Sequence, residues 1–513
     1  MDLTRLQPAL VLALAALLTP VFAQEQAADA EPPLDSFLGG VRINEPEALG
    51  GYTLFAPLRS HTTYLVDMEG EVAHTWESDL PPGQAVYLTD EGHLFRSGRV
   101  SHDLFHGGGQ GGRLQEFSWD GELLWDAILS NETHHAHHDF ALLPNGNVLV
   151  LAWEKVSPAD AVLLGRDPKT INQDEGLWPD AIFELKPQRP AAFEVVWEWH
   201  AQDHLVQDLF PQGPNYGDVI DNPRRIDINF DVRSDAPLTA QERERLEREE
   251  AQMRAIGYVG EDDDGGGSEG PLRADWMHSN GIDFLPSDNL ILVSSRAMSE
   301  VFVIDHSTTT REAASSSGGT FGQGGDLLYR WGNPKNYGLG DTPDQTLFVQ
   351  HNAEWIRAAG GELRFLVFDN GGGRPGGEYS EIDEVQVPFN AHLGFRRDAG
   401  QPFEPAEPEW SYGAAEDQRF FSPFVSGTQR LPNGNTLICA GVEGRVFEVT
   451  TEGRMVWDFQ NPFGGDVPLM EPRKGPGGEG PPPMPDDLAK KGLFRATRLA
   501  AEHPGLARLS KNQ

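Results

Sequence analysis

The chain has 513 residues, a formal net charge of −39 and a single cysteine. So much negative charge makes nucleic acid and anionic membranes poor partners, and one cysteine excludes an intrachain disulfide. With 57 glycines, 38 prolines and scarce helical patterns, the chain reads as all-β with many turns, long enough for a large repeat architecture.

Residues 1–23 carry Arg5, an apolar run from Ala9 to Leu18 and small residues at Val21-Phe22-Ala23. This reads as a cleaved signal peptide, and so as a secreted or periplasmic protein. The run is short for a bilayer span, so no transmembrane segment is expected in the mature chain. Residues 24–45, rich in Ala, Glu and Pro, read as a disordered lead-in.

A repeat fills residues 46–470. Each unit has two apolar runs around a turn (TDEGHLFRSG, LPNGNVLVLAW, LPSDNLILVSS, RAAGGELRFLVFDN, LPNGNTLICAG) and later a strand closing on Trp. The closing strands hold Trp76, Trp125, Trp197 with Trp199, Trp331, Trp410 and Trp457. Trp76 to Trp125 spans 49 residues and Trp410 to Trp457 spans 47, the length of a four-stranded propeller blade. Six closing strands predict a six-bladed β-propeller, with seven blades as the competitor. The ring is expected to close by pairing the strands near Tyr52–Val66 with the end near Trp457. Cys439, in the strand pattern TLICAG, reads as a small buried hydrophobe.

Two insertions interrupt the repeat, at about 155–180 and 200–274. Residues 239–258 read as an exposed helix capped by Thr239, followed by an acidic loop over 261–270. Asp262–Asp264 lack the alternating spacing of a calcium loop, which favours a solvated loop. Residues 471–486 read as a stiff Pro/Gly linker, and 487–513 as a C-terminal helix.

In a propeller, a residue just before the innermost strand of a blade sits at the mouth of the central channel. Three units place histidine there: His137 and His138, His278, and His351. Arg296 joins them from the second strand of the His278 hairpin. The equivalent place in the last unit holds Ser426, Gln429 and Arg430, while His61, His74 and His392 are out of register. His200 and His204, in the larger insertion, read as loop caps. A neutral imidazole is a nucleophile or proton shuttle, and an arginine holds an oxyanion, a set suited to phosphoryl or sulfuryl transfer. No Walker-type loop points to a nucleotide. A metal-dependent histidine site and a non-catalytic binding propeller remain open on these residues alone.

The segments HHDFALLPNGNVLVL, DWMHSNGIDFLPSDNLILVSSR, GGDLLYRWGNP, QHNAEWI with VFDNGGGRP, and TQRLPNGNTLICAGVEGRVFEVTTEGRMVWDF resemble the bacterial arylsulfotransferase family. The resemblance runs from roughly Tyr52 to Phe463. It implies a six-bladed propeller that moves a sulfuryl group from an aryl sulfate donor to a phenolic acceptor. It further implies independence of PAPS, a sulfohistidine intermediate, and no metal or other cofactor. By the same resemblance His351 is the nucleophile, His278 and Arg296 bind the sulfate oxygens, and His138 is the proton donor, with His137 the fallback. Asn280 orients a ring or the sulfate. The large insertion departs from the family pattern, and the oligomeric state is open, a homodimer being one option.

Overall fold

The computed structural model describes residues 39–231, 240–258, 273–356, 362–390, 393–465 and 489–509. The signal peptide, most of the lead-in, Thr239, Asp262–Asp264, His392 and the 471–486 linker lie outside the described residues.

The strands form six antiparallel meanders, each of four strands or more, and these are the blades. Blades 2 to 6 begin with the innermost strands Pro82–Leu88, His134–Leu142, Ser279–Leu285, His351–Ile356 and Gly427–Arg430. Blade 1 has Leu493–Ala500 innermost, followed by Gly51–Pro57, Thr62–Val66 and Val72–Glu77. The innermost strands pack in a closed ring, each against the next, so the first turns of all six lie around one axis. The turn hairpins expected from sequence join the first and second strands of blades 2, 3, 4 and 6, and in blade 5 the same two strands pair, their turn lying outside the described residues.

The repeated tryptophan has a physical reason. Each closing strand is the fourth of its blade, and its indole N–H donates to the turn before the fourth strand of the following blade. Trp76 reaches Ser118 O (3.1 Å), Trp125 reaches Ala192 O (2.8 Å) and Trp199 reaches Gly325 O (2.8 Å). Trp331 reaches Pro405 O (2.8 Å), Trp410 reaches Thr451 O (2.8 Å), and Trp457 closes the circle on Met68 O (3.0 Å). The apolar cores lie between blades, one of them joining blade 6 to blade 1 through Trp457, Phe459, Phe55 and Leu493.

Ring closure differs from the sequence expectation. The segment expected as a C-terminal helix is the strand Leu493–Ala500, paired antiparallel with Gly51–Pro57. Its Leu, Ala and Arg content favours helix, but a full ladder and burial of Leu493, Phe494, Ala496 and Leu499 outweigh that preference. The strand beside Trp457 is not from Tyr52–Val66. It is Gly40–Asn44, paired with Met455–Gln460 as a fifth strand, so the end of the expected disordered lead-in is ordered.

Cys439 is free and buried. The helix expected at 239–258 runs Ala240–Ala255, and the chain beyond it turns inward, burying Ile256 and Tyr258. The smaller insertion holds the helix Pro158–Leu164, capped by Ser157, and then returns through Trp178, whose backbone N–H donates to Ala274 O (2.7 Å). Among the described residues no helix is long and apolar enough to cross a membrane.

Candidate active site

Three innermost strands deliver the imidazoles, though from different registers. His351 opens its strand and pairs with Phe368, and His278 precedes its strand with φ +51°. His138 sits in a bulge, φ +52°, between Ala136 and Phe140. The sequence reading placed all three at one repeat position. They are instead brought together by local bulges that re-aim the chain at the channel mouth.

His351 is buried. Its Nδ1 lies 2.7 Å from Asn370 Oδ1. Asn370 Nδ2 donates to Ser422 O (2.7 Å) and Val425 O (3.1 Å), which fixes the amide so that its oxygen faces the ring. The proton is therefore on Nδ1, and Nε2 keeps its lone pair, touched only by the Val425 N–H at a long 3.3 Å. Burial, with the charge of Arg296, holds the His351 pKa well below the ordinary imidazole value.

His278 donates from Nδ1 to Asp275 Oδ2, and Asp275 Oδ1 accepts from Trp153 Nε1 (3.1 Å). Burial lowers the His278 pKa despite that carboxylate, so the ring is neutral with its lone pair on Nε2. His138 lies beside it, ring centres 4.7 Å apart. His138 Nδ1 is 2.8 Å from His137 Nδ1. The other His137 nitrogen lies 3.2 Å from Asp180 Oδ1, off the hydrogen-bonding direction, and the carboxylate favours a proton there. His137 Nδ1 then accepts from His138 Nδ1–H, leaving the His138 Nε2 lone pair facing the site. Burial and the neighbouring His278 keep His138 neutral too.

Arg296 follows the second strand of the His278 hairpin, its backbone N–H on His278 O (3.1 Å). It is only 8% exposed, and among the described residues its guanidinium has no hydrogen-bonded acceptor and no carboxylate. Other buried arginines are paired: Arg330 with Glu300, Arg498 with Glu448, Arg495 with Asp139. The Arg296 charge acts on His138, His278, His351 and Tyr258 alike. A nearly buried, unpaired cation is costly, and a bound anion offsets that cost.

The remaining predicted residues stand back from this centre. His137 stacks on Trp153 behind His138, 4.4 Å between ring centres. Asn280 Nδ2 donates to Gln350 O (2.8 Å), holding the strand that enters His351, and its buried Oδ1 has no partner. His200 and His204 serve the insertion, with His204 between Asp326 and Ala313 O. The HHAHH run does not gather: His134 faces Glu154 and His135 faces Ser130. Among the described residues no three of His, Cys, Asp and Glu are placed to hold a metal ion.

Sequence reasoning missed Asp275, Asn370 and Tyr258. Tyr258 Oη lies 2.6 Å from His138 Nε2 and 3.3 Å from His278 Nε2. The signal that went unread is the glycine run FHGGGQGG. A Cβ on Gly108 would stand 2.2 Å from the Tyr258 ring, and one on Gly109 2.1 Å from His138.

Fold and site together define a six-bladed β-propeller that gathers His138, His278, His351 and Arg296 around its axis. The arylsulfotransferase (ASST) family model matches residues 56–456, and the chain belongs to that family. It is 23% identical over 400 residues to the arylsulfate sulfotransferase AssT of Escherichia coli O6:H1 (strain CFT073), covering 75% of this chain and 58% of that protein's length. Solved structures it resembles include a protein of unknown function from Bacteroides caccae, with TM-score 0.41 and 12% identity over 80% of this chain and 94% of that one. Another is the Cps50 (Swd1) β-propeller domain of Myceliophteria thermophila, with TM-score 0.34 and 10% identity over 82% of this chain and 85% of that one. The six-bladed ring rests on the strand pairing above rather than on these likenesses.

Proposed function

We propose that the protein is an aryl-sulfate sulfotransferase that works without PAPS, through a sulfohistidine on His351. The observation that carries the reading is the unpaired Arg296 guanidinium acting on a neutral His351 whose Nε2 lone pair is free of its Asn370 partner. Arg296 takes the sulfate oxygens of the donor, and His278 neighbours that charge. His351 Nε2 attacks sulfur, the S–O bond to the aryl group breaks, and its electron pair leaves on the phenolate, which is protonated by solvent. His138, neutral with its Nε2 lone pair facing the site, acts as the base of the second half-reaction and not as the proton donor expected from the resemblance. In the second half-reaction a phenol gives its proton to His138 Nε2 and attacks sulfur. The N–S bond breaks and His351 regains its lone pair. Preorganised charge at the sulfate supplies the acceleration. The signal-like residues 1–23 support action in the periplasm or outside the cell.

The test uses 4-nitrophenyl sulfate as donor and phenol as acceptor. Phenol-dependent release of 4-nitrophenol is expected, and without phenol one SO3 group on His351 by mass analysis. His351→Ala should lose both, and Arg296→Met should lose about 100-fold in rate. Absence of product and adduct across a panel of aryl sulfates overturns the reading. Binding of aryl sulfates without turnover would instead mark a binding propeller.

A further inference from the structure

Tyr258 comes from the large insertion, which a propeller blade does not need. Behind the helix Ala240–Ala255, its N–H donates to Met253 O (3.0 Å), and Arg99 bonds the preceding carbonyl of Gly257. The side chain is buried, with its ring against Gly108 and 6.1 Å from the centre of Phe424. Its hydroxyl meets His138 Nε2 at 2.6 Å and His278 Nε2 at 3.3 Å. Asp275 sets the His278 tautomer and the His137–Asp180 pair sets that of His138, so both nitrogens offer lone pairs. A phenol O–H thus donates to one base, His138 Nε2, with a second, His278 Nε2, within reach, in the field of Arg296. The acceptor half-reaction requires the same arrangement of its substrate.

We infer that Tyr258 holds the acceptor's place in the resting protein, and that the acceptor is a para-alkylated phenol of tyrosyl type. This rests on the transferase reading. The ring of Tyr258 leaves the site through its para carbon, toward the insertion. A phenol that replaces it keeps its hydroxyl on His138 and carries its substituent out by the same path. An ortho substituent on the Cε1 edge of the ring would meet the backbone at Gly108, where a Cβ would stand 2.2 Å from that carbon. The turn 256–258 must withdraw as the acceptor enters. The helix behind it faces Glu378 through Arg248 (3.5 Å) and Arg245 (3.9 Å), ion pairs of the weak, partly exposed kind.

Steady-state transfer from 4-nitrophenyl sulfate to 4-ethylphenol and to 2-ethylphenol tests this in the full chain and in Tyr258→Ala and Tyr258→Phe. The wild type should prefer 4-ethylphenol. KM for 4-ethylphenol should fall about tenfold in Tyr258→Ala, the worth of one hydrogen-bonded competitor. It should fall by less in Tyr258→Phe, which keeps the ring packing and reads out even if the alanine variant does not fold. An unchanged KM in the variants overturns the inference, as does equal use of the two ethylphenols. Loss of kcat in Tyr258→Phe also overturns it, by making the phenol a proton carrier. If the wild type forms no His351 adduct, the transferase reading itself has failed. A normal adduct with unchanged acceptor KM in the variants condemns only the role of Tyr258.

Discussion

His351 owes the tautomer that leaves a lone pair on Nε2 to Asn370. An imidazole buried without a fixed partner has two neutral tautomers, and only one offers Nε2. Asn370→Leu removes the acceptor on Nδ1 and should lower kcat/KM for the donor by about 100-fold, comparable to losing one preorganised polar contact. Single-turnover release of 4-nitrophenol measures it. Burial, with Arg296 for His351 and His278 for His138, lowers both pKa values in the folded state. The proposed nucleophile therefore stays deprotonated below the usual imidazole value of about 6.5, and the acid limb of donor turnover should lie below it. Stability takes the corresponding sign. The unfolded chain binds more protons than the folded one in this window, so stability is full above about pH 6.5 and falls as the pH drops through it. Thermal melts between pH 7.5 and 5 should move downward, and less so in His138→Gln. Residue types at this scale were legible, because His278, His351, Arg296 and the His137–His138 pair stand out in repeated contexts. Their partners were not: Asn370 is 19 positions from His351, and Tyr258 is 120 from His138.

Among the elements, the strand Leu493–Ala500 does most to hold the ring closed. It is the innermost strand of blade 1, with Phe494 6.2 Å from His138 and Arg495 bonded to Asp139 (2.8 Å), the residue after His138. Asp139 also accepts from Tyr87 (2.7 Å) and from the Ile282 N–H (3.2 Å), so four blades meet at one carboxylate. Deleting residues 489–513 leaves Gly51–Pro57 as an open edge and uncovers Leu54 and Phe55. Such a chain should bind a hydrophobic dye and lose its cooperative thermal transition, which calorimetry measures. The helical reading of this stretch failed because local propensity is worth tenths of a kcal/mol per residue, against burial of whole side chains at about 25 cal/mol per Å².

For the whole molecule, charge and ring geometry work against each other. A net charge of −39 would repel the proposed anionic donor at long range, while the Arg296 guanidinium would attract it at short range. Salt screens the first more than the second, since the Debye length is about 8 Å at physiological ionic strength. Raising NaCl from low to physiological strength should lower KM for 4-nitrophenyl sulfate and leave KM for a neutral phenol unchanged. Initial-rate kinetics in the two buffers would decide it.

The residues by themselves determined the blade repeat, its count of six, the turn hairpins and the four side chains, His138, His278, Arg296 and His351, that the fold brings together. Each is written locally, as alternation around a turn, a tryptophan that closes a strand, or a polar residue at a strand mouth. Tertiary structure alone decided how the ring closes, which nitrogen of each histidine is free, and what fills the pocket. Those depend on partners hundreds of positions away, such as Leu493–Ala500 on Gly51–Pro57, or on an insertion outside the repeat, such as the turn that carries Tyr258. Sequence periodicity carries no record of either, because a contact between distant segments is set by packing geometry rather than by local pattern.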